Sequence, residues 1–106
     1  MRDALAAGSR SPEQTRLLVK HFLALLSERA PGASVEVRVP PYAAVQAVAG
    51  VRHTRGTPPA VVELDADTWI ALASGSLAWA DAEREGRVSA SGERADLSSL
   101  LPLERS

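Results

Sequence analysis

Five consecutive residues, Val35-Glu36-Val37-Arg38-Val39, alternate apolar and charged without a break. Side chains of a strand point to opposite faces in turn, so this run specifies a sheet with one apolar face and one face for water. Such a sheet needs a cover on one side only. The cover is expected directly upstream. Ser11-Pro12-Glu13-Gln14 has the form of a helix start, with Ser11 and Gln14 as a capping box and Pro12 at the first helical position. Leu18, Phe22, Leu25 and Leu26 then share one helical face, with Val19 and Leu23 at its edge, while Arg16, Lys20 and Glu28 fall largely outside it. Ala30-Pro31-Gly32 ends the helix. Val35, Val37 and Val39 are expected to face this helix, and Glu36 and Arg38 to face away.

The remaining punctuation sets the fold class. Pro40-Pro41 breaks the first strand, and residues 42–49 form an Ala-rich second one, closed by Gly50. A polar loop, residues 51–59, follows, and then a short apolar run, residues 60–64, that reads as an interior strand. Asp65 is placed to cap a helix, with Leu64 and Trp69 at the positions of a hydrophobic staple. Trp69, Ile70, Leu72 and Ala73 give that helix a buried face, and Gly75 ends it. Ser76 can cap a further helix over 77–85, stopped by Gly86. Residues 87–91 read as a strand with Val88 and Ala90 inward, and residues 95–101 as a last helix before Pro102. Strands that follow one another with short breaks pair antiparallel, and regular β-α-β alternation is absent. The expected class is α+β, a mostly antiparallel sheet of about four to five strands covered by an N-terminal helix and C-terminal helices. Residues 1–10 read as a frayed lead-in, and 11–106 as a single domain.

Composition excludes several functions. The formal net charge is −1, so no overall field draws in nucleic acid. There is no cysteine, which removes disulfides, thiolate metal sites and a cysteine nucleophile. With only His21 and His53, and no HxH or HExxH spacing, neither a metal nor another cofactor is expected. The N-terminus lacks a long apolar segment, and no run approaches the length that spans a bilayer, so a cytoplasmic protein is expected.

The punctuation from Gly75 to Leu101 carries a resemblance. Gly75, an Ala-bearing helix ending at Glu85-Gly86, the strand Arg87-Val88-Ser89-Ala90-Ser91, Gly92, and then Leu97 and Leu100 resemble the sterol carrier protein family. Val61-Val62-Glu63-Leu64-Asp65 with Trp69, Leu72 and Gly75 fits the same family's strand–helix unit. The likeness spans roughly residues 12–103 and is greatest to small bacterial stand-alone members. A similar fold forms the C-terminal domain of mycothiol-dependent isomerase relatives, whose helical metal-binding domain has no counterpart here. The resemblance implies a lipid, acyl chain or other small apolar ligand held between sheet and helices, in a cavity lined by small and aliphatic groups from the strands of residues 35–49, Trp69, Leu72 and Leu97.

Polar chemistry is concentrated in the loop. Arg52, His53, Thr54, Arg55, Gly56 and Thr57 bring two guanidiniums and an imidazole together, next to hydroxyl donors and a glycine that permits close backbone approach. They are expected to bind the anionic part of a ligand, against the alternative of a solvated loop whose arginines pair with surface carboxylates. Trp69 and Trp79 are expected in the core, unless one of them lines a ligand pocket. No serine stands in a nucleophile elbow. Asp81, Glu83 and Glu85 read as a solvated helix face. Three functions follow: a binding module for a small apolar ligand, an enzyme or accessory subunit using the loop to hold an anion, or a ligand-free dimerising scaffold. The absence of a triad, a cysteine and metal ligands favours binding over catalysis, with a homo-oligomer open.

Overall fold

The computed structural model describes residues 10–49, 60–92 and 96–104. The expected lead-in falls outside it up to residue 9, as does the polar loop with Arg52, His53, Thr54, Arg55, Gly56 and Thr57. In chain order the elements are α1 (Pro12–Arg29), β1 (Val35–Val39), β2 (Ala43–Ala47), β3 (Ala60–Leu64), α2 (Ala66–Ser74), α3 (Trp79–Arg84), β4 (Val88–Ser91) and a 3-10 turn at Ser98–Leu100. The class is α+β, as the punctuation predicts.

Local chemistry accounts for the helix boundaries. At α1 the capping box is complete: Gln14 N donates to Ser11 Oγ at 3.1 Å and Ser11 N donates to Gln14 Oε1 at 2.9 Å. Arg10, just ahead of it, has a side chain only 2% exposed and pairs with Asp67 in the first turn of α2. At α2, Thr68 N donates to Asp65 Oδ1 at 2.7 Å. Each cap gives an otherwise unpaired amide of the first turn a partner.

The four strands form one sheet in the order β2-β1-β3-β4. β1 pairs with β2 antiparallel, and β3 with β4 antiparallel. The β1–β3 pair is parallel, with Val35 opposite Ala60 and Val37 opposite Val62. Three strands in succession would have made a simple meander. Instead the chain crosses from β2 to the far side of β1, which makes β3 the second interior strand. Its apolar run suits that place: Ala60, Val62 and Leu64 are buried while Glu63 is exposed.

Alternation in β1 holds. Val35, Val37 and Val39 are fully buried, in one core with Leu18, Val19, Phe22, Leu23 and Leu26 of α1 and Trp69, Ile70, Leu72 and Ala73 of α2. α1 packs chiefly on β2 and α2. Arg38 and Glu63 meet on the outer face at 3.7 Å. Both are about half exposed, so solvent screens the pair heavily.

Three local expectations are corrected. Ala90 shares the core face by register, opposite Val62, yet it is exposed, because β4 is an edge strand and the helical layer stops short of it there. The helix expected over 77–85 runs only from Trp79 to Arg84, with Ala78 as its uncapped start; the Ser76 hydroxyl instead donates to Ala71 O at 3.4 Å. The helix expected over 95–101 is a single 3-10 turn. Asp96 accepts from Ser98 N at 2.8 Å, a side-chain turn that competes with helical bonding, and Pro102 bars continuation.

Candidate functional site

The end of α2 builds a concave surface. Gly75 stands at φ +90°, the left-handed conformation that only glycine adopts without strain. From there the chain doubles back, with Ser76 N and Leu77 N both donating to Ala71 O, at 2.9 and 3.2 Å. The C-terminal segment is brought alongside by Leu103 N and Glu104 N, which donate to Ala73 O at 2.9 and 3.0 Å. Leu97 and Leu103, 1% and 2% exposed, anchor that segment in the core on either side of the 3-10 turn.

Between these two strips lies a groove of about 380 Å³, lined by Gly75, Leu77, Ala78, Trp79, Ala80, Ser98, Leu101 and Pro102. This volume is in the range of small-molecule sites. Among the described residues, the lining holds no ionisable side chain. Trp79 is 5% exposed, and its Nε1 is buried without a hydrogen-bond partner. The other indole differs: Trp69 Nε1 donates to Val19 O at 3.3 Å, tying α2 to α1. At the groove's far side the backbone N–H of Ser98, helped by its hydroxyl, holds the Asp96 carboxyl below the usual carboxylate range.

The sequence-predicted site residues divide into two sets. Trp69, Leu72 and Leu97 come together, but inside the packed core, at 0%, 0% and 1% exposure, and none of them lines the groove. The anion-binding loop residues lie outside the described structure. His21 stands on the exposed flank of α1, its Nε2 3.5 Å from Glu104 Oε2. Asp81 pairs with Arg84, and Glu85 lies 3.6 Å from Arg87. Among the described residues no cluster of His, Asp or Glu is arranged to hold a metal ion. Nor is any helix among them long and apolar enough to cross a membrane. Leu77, Ser98, Leu101 and Pro102 escaped the sequence reading because no local pattern joins 75–80 to 98–102. The one available signal was Trp79, a large aromatic set between Ala78 and Ala80.

No curated protein matches the chain. A family model does, that of the bacterial SCP orthologs, over residues 11–103. The match begins at the Ser11 cap and ends at Leu103, the last buried anchor, so it takes in every helix and strand described here. The chain therefore belongs to the bacterial SCP ortholog family, as a small sterol-carrier-like domain.

Proposed function

We propose that this protein is a binding module for a small apolar or amphipathic ligand, of which an acyl chain is the simplest example, held in the groove beside Trp79. The observation that carries this reading is the groove itself: about 380 Å³, walled by Leu77, Trp79, Leu101 and Pro102, in a chain of the SCP family. Each methylene buried there would contribute roughly 0.8 kcal/mol. The interface between sheet and helices supports it less well, since Val35, Val37, Trp69 and Leu72 are each 0% exposed within one core. Binding rather than catalysis suits a lining whose described residues offer no acid, base or nucleophile beyond the Ser98 hydroxyl.

The test uses a fluorescent acyl-chain probe and a variant that fills the groove from its rim. Ala80 lines the groove and is exposed, so Ala80→Trp obstructs the space while leaving the core untouched. Probe affinity should fall at least tenfold with little change in melting temperature. An affinity equal to that of the unaltered protein would place the ligand elsewhere, and no binding by either would refute the module.

A further inference from the structure

We infer that the groove selects a ligand whose polar group is an uncharged oxygen acceptor, such as the carbonyl of an ester, ketone or amide, and that Trp79 Nε1 is the donor that receives it. The inference rests on the binding-module reading and adds the chemistry of the ligand's polar end.

Two independent observations lead here. The first is the indole. A buried donor without a partner is uncommon in folded proteins, and one at the wall of a cavity calls for an acceptor. Trp79 is 5% exposed and its Nε1 has no partner, whereas Trp69, at 0% exposure, has Val19 O. An indole offers one donor and no acceptor, so whatever satisfies it must bring a lone pair. Leu77, Leu101 and Pro102 at the rim are half-buried rather than sealed in the core. Nε1 is itself buried, so a ligand oxygen reaches it only when this rim shifts.

The second observation is that no charged side chain stands among the described residues of the lining. Leu77, Ala78, Trp79, Ala80, Leu101 and Pro102 line the space, and the polar part of its wall is backbone and the Ser98 hydroxyl, none of it charged. A carboxylate or phosphate seated there would leave water for a site with no cation among its described lining residues, a transfer far more costly than that of a neutral carbonyl. A single neutral hydrogen bond cannot offset it. The groove is therefore built for an ester or ketone in preference to the corresponding acid. The competing anchor is the loop pair Arg52 and Arg55, which would reverse the preference.

The experiment compares a fluorescent fatty acid with its own methyl ester at pH 7, on the unaltered protein and on Trp79→Phe. The ester should bind at least about tenfold more tightly than the acid. Trp79→Phe should weaken the ester about three- to tenfold, the worth of one neutral hydrogen bond, and leave the acid little changed. With ¹⁵N-labelled tryptophan, the Trp79 indole N–H resonance should move downfield on adding ester while that of Trp69 stays in place. This readout needs no substitution and survives if Trp79→Phe folds badly. Acid binding as well as or better than ester, or an unmoved Trp79 resonance at saturating ester, overturns the inference while leaving the binding module standing. Failure of both probes to bind would overturn the module and this inference with it.

Discussion

Gly32 offers the sharpest test of how the helical layer is joined to the sheet. It follows α1 at φ +147°, a region open to glycine and strained for any other residue. A β-carbon added there would sit 2.4 Å from Val48 O and 2.5 Å from Ala49 N. These are backbone atoms, and Val48 has little freedom to retreat. Its N–H donates to Ala30 O at 2.6 Å, and its carbonyl accepts from Ser34 N at 3.0 Å and Ser34 Oγ at 2.6 Å. Val48 is also held at φ +69°, unusual for a β-branched residue. Gly32→Ala therefore adds backbone strain of roughly 1–3 kcal/mol to a steric term of similar size, about 2–6 kcal/mol together. That is a large part of the roughly 5–15 kcal/mol that stabilises a typical domain. Gly86 supplies the control. It too has positive φ, +72°, but a β-carbon there meets nothing within 4 Å, so Gly86→Ala should cost only about 1–2 kcal/mol. Urea melts of both variants separate the two contributions. If Gly32→Ala exceeds Gly86→Ala by less than about 0.5 kcal/mol, the close approach to Val48 is not what fixes this junction.

Other substitutions probe the caps, the C-terminal turn and the loop. Asp65→Ala removes the acceptor of Thr68 N and should destabilise by about 1 kcal/mol in a thermal or urea melt; an unchanged profile would show that the cap carries no stability. The Ser98 hydrogen bonds hold the Asp96 pKa below the ordinary value of 3.8. The unfolded chain therefore takes up the proton first, and the stabilisation is complete above that value and lost as pH falls through the lower folded value. Asp96→Asn should lower stability by a constant amount above pH 3.8 and make no difference once pH has fallen below the folded value, which flattens the acid limb between them; a parallel shift at all pH values would contradict this. For the loop, Arg52→Ala/Arg55→Ala should weaken a fatty-acid probe by more than tenfold if these arginines grip its carboxylate. The melting temperature should barely move, and a large fall would make the pair structural.

What was legible in the sequence is what depends on neighbours along the chain. Ser11 with Gln14, Asp65 with Thr68, and Gly75 each act within four residues, and each is found as read. The alternation of Val35, Val37 and Val39 also survived, because one buried face leaves a strand no other register. The position of β3 beside β1 was not legible, since an apolar run names an interior strand but not its neighbour or direction. Ala90 and the final turn failed for related reasons: inward parity does not ensure that something covers the residue, and Asp96 outcompeted a helix that Leu97, Leu100 and Leu101 seemed to promise. The candidate groove was least legible of all. Its two walls are about twenty residues apart in the chain and meet through the backbone of Ala73, whereas the compositionally conspicuous arginine loop drew the expectation of polar chemistry.

The bond from the C-terminal strip to α2 also sets the dynamics of the groove. One wall is the strip around the 3-10 turn, fastened to Ala73 O through Leu103 N and Glu104 N and weighted down by Leu97 and Leu103. A strip tied to α2 by these two bonds opens at lower free energy than the sheet does. Under the proposed binding reading, ligand exchange would proceed by this strip lifting and resettling, at a rate set by that local opening rather than by global unfolding. In hydrogen exchange the amides of Leu103 and Glu104 would lose protection well before those of β1 and β3. A bound ligand that bridges Trp79 and Leu101 would slow them selectively, so that these two amides report occupancy of the site.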